Sequence, residues 1–418
     1  MKERSVKEKI CAIVGASHAG VNLAFYLRRE GFEGEIILFD KDAMLPYHRP
    51  PLSKTYLANE EALEKNLLKS VESYEKERIQ LRLGIVVTAI SRKDTYLVLE
   101  DDQKQHYDFL VLATGARPLF PPIPNIQNIK NIFPLRTAHD IINIRQALTQ
   151  NNSPKVVIIG GGYIGLETAA SLTKLGAKVT ILEREKRVLA RVTTAEMSSF
   201  FTKLHTENGV EVHTEKNVIG LSTNNDMITV ACSDTTTLEA HIVIVGIGIK
   251  VNTELAEAAG LETGNGIHVN SSTVTKDPKV YAIGDCTFHH NPHYDKYVRL
   301  ESVQNAVDQA KVAAAKICDK EVIYDAIPWF WSDQYDTKLQ IVGLSEGYDN
   351  YILRKEQEKE NCFSIWYFKG TELLAVDAIN NAKAYVIGTK FIKEKREIDL
   401  KKLKDISIPL KPTTLLVD

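Results

Sequence analysis

Two glycine-rich turns, about 145 residues apart, are the parts of this sequence best suited to chemistry. Ile13-Val14-Gly15-Ala16-Ser17-His18-Ala19-Gly20 follows an apolar run and opens a helical pattern, and Val157-Ile158-Ile159-Gly160-Gly161-Gly162-Tyr163-Ile164-Gly165 repeats the arrangement. In such a turn the first glycine permits the tight bend and the second lets the backbone approach a pyrophosphate. The third lets the helix pack closely on the strand, while the helix N-terminus faces the negative charge. Gly160, Gly162 and Gly165 fill all three positions, whereas Ser17 takes the middle place between Gly15 and Gly20. Glu183 stands about 20 residues beyond the second set, where a carboxylate accepts hydrogen bonds from the adenine-ribose hydroxyls and repels a 2′-phosphate. That favours NADH, although Arg184 and Arg187 follow directly. In the earlier unit Asp40, Lys41 and Asp42 lie together, and which acid serves the ribose is open. Two dinucleotide sites in one chain imply a hydride passed from one to the other, as in a flavin–nicotinamide enzyme.

The elements that position these groups follow from the hydrophobic pattern. Lys9 onward reads as strand, glycine turn, helix from Val21 to Glu30, Gly31, and a second strand from Glu35 to Phe39, a βαβ unit. A second such unit runs from Lys155 to Leu182. Tyr107 to Gly115, His241 to Gly248 and Lys279 to Asp285 read as buried strands with small-residue exits, and Glu301 to Cys318 as an Ala-rich helix. Four prolines between Arg117 and Pro124 mark a crossover. Beyond Pro328 the pattern changes to short alternating strands such as Phe363 to Phe368, followed by a Lys-rich helix around Phe391 to Lys404. The reading is α/β: two Rossmann-like dinucleotide-binding domains, the NAD domain inserted in the FAD domain, plus a C-terminal α+β domain. Expected boundaries are 1–116 and 248–325 for the FAD domain, 117–247 for the NAD domain and 326–418 for the last.

At 418 residues, with 44% hydrophobic and 25% charged residues, the chain has room for about three ordinary domains and the composition of a soluble protein. A formal net charge of −2 argues against bulk nucleic-acid binding. No apolar run reaches the ~20 residues needed to span a bilayer, and Met1 to Lys9 lacks the apolar core of a signal peptide. A cytoplasmic location is the expectation. Cys11, Cys232, Cys286, Cys318 and Cys362 are widely spaced, without a metal-ligand or redox pair. His289, His290 and His293 match no closed metal site and read as loop histidines. No metal is expected. The Lys393–Lys404 run reads chiefly as a solvated helix face, with a docking role for an acidic partner as the alternative.

The loop Pro46-Tyr47-His48-Arg49-Pro50-Pro51-Leu52-Ser53-Lys54 resembles the PYxRPPLSK loop of ferredoxin reductases serving bacterial oxygenase systems. These FAD-dependent enzymes include the putidaredoxin and rubredoxin reductases, and share a glutathione-reductase-like architecture. Further matches are Ala113-Thr114-Gly115-Ala116-Arg117-Pro118, Asn252 to Ala256, Arg299 to Ala306 and Pro328 to Gln334. The resemblance implies FAD over Gly15, Ser17, Ala19 and Gly20, with Arg49 adding charge and Asp40 or Lys41 near the ribose. Val87, Ala113, Thr114, Gly115, Arg136, Gly284 and Asp285 would also line FAD. Lys54 would stand beside the flavin N5 with Glu167 as its ion-pair partner. Gly160, Gly162, Tyr163, Ile164, Gly165 and Glu183 would hold NADH, and Glu301, Ser302, Val303, Gly246, Ile247 and Gly248 would border the nicotinamide region. Trp329 and Trp331 resemble the aromatics near the flavin edge. Two departures stand out: Lys41 occupies the place of the family's ribose acid, and Lys250-Val251 replaces an apolar-Pro step.

With no cysteine between Lys41 and Tyr56, electrons must leave the chain. The resemblance implies a separate [2Fe-2S] ferredoxin or rubredoxin, feeding an oxygenase such as a cytochrome P450 or ring-hydroxylating dioxygenase. The protein itself would be a monomer or weak homodimer. The alternatives are an NADH-responsive flavoprotein of the apoptosis-inducing-factor type, and an NADH oxidase or disulfide reductase on the same scaffold.

Overall fold

The computed structural model describes residues 8–59, 62–356 and 361–417. Most of the polar N-terminal stretch, Met1 to Lys7, therefore lies outside the described residues. The chain divides into two compact units, one of residues 1–48, 66–117 and 251–328, the other of 49–65, 118–250 and 329–418. The segment 49–65 thus groups with the NAD-type sheet and the C-terminal sheet. Among the described residues, no helix is long and apolar enough to cross a membrane.

The first unit is built on a parallel sheet in the order Val280–Ala282, Phe109–Leu112, Ile10–Val14, Glu35–Asp40, Ile79–Leu83. Its inner strands are apolar runs because both faces are covered: Cys11, Ala12, Ile13, Leu110, Val111 and Leu112 are buried. The helix after the first turn spans His18–Glu30, three residues longer at its start than the pattern suggested, and ends at left-handed Gly31. The Ala-rich helix is Val303–Ile317, with Ser302 capping it by accepting the Asn305 N–H. His289 and His290 lie in the strand Thr287–Asn291, not in a loop, and His289 is buried.

The second unit repeats the plan with a parallel sheet in the order Glu211–His213, Lys178–Leu182, Lys155–Ile159, Ile242–Val245, Ile132–Pro134. It adds an antiparallel sheet in the order Trp329–Gln334, Thr337–Gly343, Glu372–Ile379, Phe363–Lys369, Asn350–Lys355. The alternation expected for Phe363 to Phe368 is absent from its burial, since all six residues are buried. Both faces of this sheet are covered. On one, Gly388 of the helix Ala382–Glu394 packs onto Val376 and Val342. On the other, Phe330 meets Tyr163, Phe363 meets Phe200, and Gln334 meets His205. The single Lys-rich helix is instead two, Ala382–Glu394 and Leu400–Lys404, because Lys395 turns left-handed and Asp399 caps a new start.

A buried carboxyl lies under the second face. Asp377 accepts the Tyr367 hydroxyl at 2.6 Å and the Thr193 hydroxyl at 2.8 Å. Burial pushes its pKa up to about 6, partly opposed by those two bonds. An acid whose native pKa lies above its unfolded value binds its proton more tightly when folded, so the native state gains stability as pH falls from about 6 to about 4. Compared with Asp377→Asn in denaturant titrations, the wild type should gain up to about 3 kcal/mol between pH 7 and pH 4. Parallel stability curves for the two proteins would contradict this.

Candidate active site

The two glycine turns are superimposable in their logic. Gly15 and Gly160 have φ of 111° and 112°, and a Cβ on either would lie 2.2 Å from Ala113 O or 2.4 Å from Gly246 O. The first glycine is therefore required both by the left-handed backbone and by the exit of the neighbouring strand. A Cβ on Gly20 or Gly165 would lie 1.9 Å from Gly15 O or 2.1 Å from Gly160 O, so the third glycine sets the helix on its own turn. Gly162 differs: its φ is −81° and a Cβ there would meet nothing within 4 Å. Nothing in the protein requires glycine at that place, only open space before a helix N-terminus. Ser17 holds the matching N-cap place with an ordinary φ of −102°, which removes the objection to the first turn. Both turns fit a dinucleotide: a helix start with open backbone and room for a pyrophosphate.

The acids are also equivalent. Asp40 Oδ2 accepts the Ala16 N–H at 2.6 Å, and Glu183 Oε2 accepts the Gly161 N–H at 2.6 Å, each from the residue after the first glycine. Their other oxygens accept the N–H groups of Asp42 and Glu185. Asp40 is thus the structural counterpart of Glu183, while Asp42 is committed to the Tyr47 hydroxyl and the Met44 N–H. Lys41 lies one step past the strand end. Arg187 is locked onto its own segment, donating to Thr194 O, Ser198 Oγ and Ala190 O, and exposed Arg184 pairs with Glu185.

The Lys54–Glu167 ion pair forms within the second unit. Pro50–Ser53 makes a short 3-10 turn that delivers Ser53 and Lys54, and Glu167 lies one turn into the helix Tyr163–Lys174. Lys54 Nζ and Ser53 Oγ both donate to Glu167 Oε2 at 2.6 Å, and Ser332 Oγ donates to Oε1 at 2.6 Å. Ser171, one turn further along the helix, donates to Ser53 O at 2.7 Å. Glu167 is 1% exposed and Lys54 17%, so the cation is the member of the pair that a bound molecule can reach. Three donors compensate a carboxylate that burial alone would penalise.

Other expected residues fall into local groups. Thr114 exchanges hydrogen bonds with Asn252, whose N–H is donated to Gly115 O, so the Ala113-Thr114-Gly115 exit is clamped. Gly284 donates to Gln309 Oε1 at 2.7 Å and packs on Ala19, which places Asp285 in the turn that follows. Gly246 donates to Ile159 O, Gly248 accepts from Leu119, and Ile247 packs against the core beside them. Glu301 pairs with Arg299. Arg49 donates to Arg136 O at 2.6 Å. Val87 opens the strand Val87–Ser91. Tyr163 turns its ring onto Phe330, 5.0 Å between centroids, so only its backbone remains for a nucleotide, while Ile164 stays exposed. Trp329 lies against Trp331 in a tilted ring contact, 5.5 Å between centroids, and meets Tyr385 edge-on. Burial pushes the thiols of Cys11, Cys232, Cys286 and Cys318 up, away from reactive thiolate. Sequence reasoning missed His205 and assigned no role to Gln334 within the Pro328–Gln334 run; both reach Ser332 through buried hydrogen bonds. No spacing could reveal them, since His205 and Gln334 are 129 residues apart.

Residues 9–310 match the pyridine nucleotide-disulphide oxidoreductase family, and residues 329–414 match the reductase C-terminal domain. The chain belongs to this family. Among its members, putidaredoxin reductase of Pseudomonas putida is 44% identical over 96% of this chain and 95% of its own length. Rhodocoxin reductase of Rhodococcus erythropolis is 38% identical over 96% and 93%. The solved covalent putidaredoxin reductase–putidaredoxin complex aligns with a TM-score of 0.92 at 42% identity, covering 96% of this chain and 97% of the other. The family's disulphide chemistry has no counterpart between Lys41 and Tyr56 here, where Lys54 stands without a cysteine.

The geometry at Glu183 gives a direct test. Glu183→Ala should lower the ratio of kcat/KM for NADH over NADPH by about 10-fold or more, since one charge repulsion and the ribose acceptors are lost together. The KM for NADH should rise as well, because the Gly161 N–H loses its acceptor. An unchanged coenzyme ratio would remove Glu183 from coenzyme choice.

Proposed function

We propose that this protein is an NADH-dependent reductase of a small one-electron carrier, a [2Fe-2S] ferredoxin or rubredoxin that feeds an oxygenase. It is an FAD-dependent oxidoreductase of the ferredoxin reductase kind. The observation that carries the reading is Lys54, in a loop without cysteine, paired with Glu167, in a chain that matches a putidaredoxin reductase over almost its whole length. FAD, when bound, takes a hydride from NADH and hands electrons on one at a time.

The chain's own residues have distinct tasks. The N–H groups at the starts of the helices His18–Glu30 and Tyr163–Lys174 receive pyrophosphate, with Asp40 and Glu183 accepting from the ribose hydroxyls. Arg187 is spent on its own backbone, which supports NADH over NADPH. Lys54 Nζ donates to Glu167 Oε2 and would present a fixed positive charge to the flavin N5. Thr114, Gly115 and Asp285 would help hold the flavin, and Glu301 would serve the nicotinamide. Trp329 and Trp331 form an aromatic step for the carrier. The protein acts in the cytoplasm, as a monomer or weak homodimer.

Two measurements test this. In stopped-flow, NADH should bleach the flavin, and a ferredoxin or rubredoxin from the same organism should reoxidise it faster than oxygen does. If every such carrier is slower than oxygen, the carrier-reductase reading fails. Lys54→Ala should retain FAD and lower the limiting rate of flavin reduction by about 10-fold or more. A wild-type rate would refute the N5 assignment.

A further inference from the structure

The carboxylate of Glu167 is the end of a longer buried chain of hydrogen bonds. Ser332 Oγ donates to Glu167 Oε1 at 2.6 Å, and Gln334 Nε2 donates to Ser332 Oγ at 3.1 Å. Gln334 Oε1 then faces His205 Nε2 at 2.9 Å. Glu167, Ser332, Gln334 and His205 are each 0–1% exposed. The donors can be assigned from chemistry alone. A carboxylate accepts, so Ser332 gives its proton to Glu167 and must accept from Gln334. The Gln334 amide nitrogen is thereby committed, its oxygen faces the imidazole, and His205 Nε2 must carry the proton. Nδ1 is then the acceptor, and the Tyr335 hydroxyl stands 3.5 Å from it. Burial lowers the pKa of His205, which keeps the ring in this neutral form. Every donor from His205 onward points the same way, toward Glu167.

We infer that His205 is a positioning residue for the Lys54–Glu167 pair, acting through Gln334 and Ser332 to hold Glu167 Oε1 in place. This rests on the role proposed above for Lys54 and Glu167. The Gln334 amide, placed between a hydroxyl and an imidazole, does not relay protons readily, so the chain orients the carboxylate instead of conducting. Its direction depends on the imidazole N–H. Without that donor, the Gln334 amide is free to turn its oxygen toward Ser332, and the Ser332 proton then leaves Glu167. The carboxylate would keep donors on Oε2 alone and could swing with Lys54. Aligned hydrogen bonds in a dry interior strengthen one another, so the loss is felt at the far end.

The test combines a spectroscopic readout with kinetics on the FAD-loaded protein. The carboxylate stretch of Glu167, isolated as the infrared difference between wild type and Glu167→Gln without NADH, should shift in His205→Leu and in Ser332→Ala. The limiting rate of flavin reduction by NADH should fall about 3- to 10-fold in both, with the NADH dissociation constant unchanged. His205→Gln, which restores an N–H donor, should return band and rate toward wild type. A His205→Leu protein with the wild-type band and rate would overturn the inference. So would failure of His205→Gln to rescue a folded, FAD-loaded protein. Should His205→Leu not fold, Ser332→Ala decides, and an unmoved band there overturns the proposal equally. If Glu167→Gln itself reduces flavin at the wild-type rate, the Lys54–Glu167 assignment fails. If Glu167→Gln is slow while His205→Leu is normal, only the positioning role fails.

Discussion

The buried carboxylate of Glu167 is the constraint around which the second unit is assembled. A charge at 1% exposure is tolerated because donors arrive from two other stretches of chain. Ser53 and Lys54 come from the short turn after Arg49, and Ser332 from the first strand of the C-terminal sheet. Losing any of them leaves a buried charge short of partners, a penalty of several kcal/mol in typical proteins. The helix Tyr163–Lys174 therefore fixes the loop on one side and the sheet on the other. Ser171 reinforces the first contact through Ser53 O, and the Tyr163–Phe330 ring contact reinforces the second. The helix that opens at the second glycine turn also carries Glu167.

The two units apply one local device twice. A left-handed glycine abuts the exit of the next parallel strand, and a later glycine seats the helix on the turn. A strand-end acid ties down the N–H after the first glycine. The pairs Gly15 and Gly160, Gly20 and Gly165, and Asp40 and Glu183 each share one physical cause. Ser17 and Gly162 show where the device relaxes: the middle place has ordinary backbone and open space, so any small residue serves. The glycine that seems most diagnostic in sequence is the one the protein's own packing least requires.

Much of this was legible beforehand. Glycine spacing, the apolar strands and the Arg49–Lys54 loop were sufficient for the two strand–turn–helix units and for the family. The errors have physical reasons. Phe363 to Phe368 reads as an alternating strand, yet the sheet is covered on both faces, which erases the alternation of burial. The Lys-rich pattern around Phe391 to Lys404 predicts one helix, but a left-handed Lys395 interrupts it. His289 was placed in a loop, while its strand runs through the first unit with the imidazole buried. Asp377 and His205 gave no signal, since each is a lone polar residue in an otherwise unremarkable segment, and the family-like run that ends at Gln334 does not reveal its link to His205.

What the sequence determined by itself was therefore local: a left-handed position needs glycine, a parallel buried strand needs an apolar run, and a nucleotide ribose needs an acid at the strand end. Each of these is settled within about 30 residues, the length of one βαβ unit. Tertiary structure decided which of three neighbouring candidates, Asp40, Lys41 or Asp42, matches Glu183. It also decided that Arg187 donates to Thr194 O, Ser198 Oγ and Ala190 O, and that Ser332, Gln334 and His205 converge on Glu167. Those outcomes depend on hydrogen bonds between residues as far apart as Ser332 and Glu167, 165 positions in sequence. Directional bonds of that kind exist only once the backbone has brought donor and acceptor within 3 Å or so, and no periodicity in the chain records them.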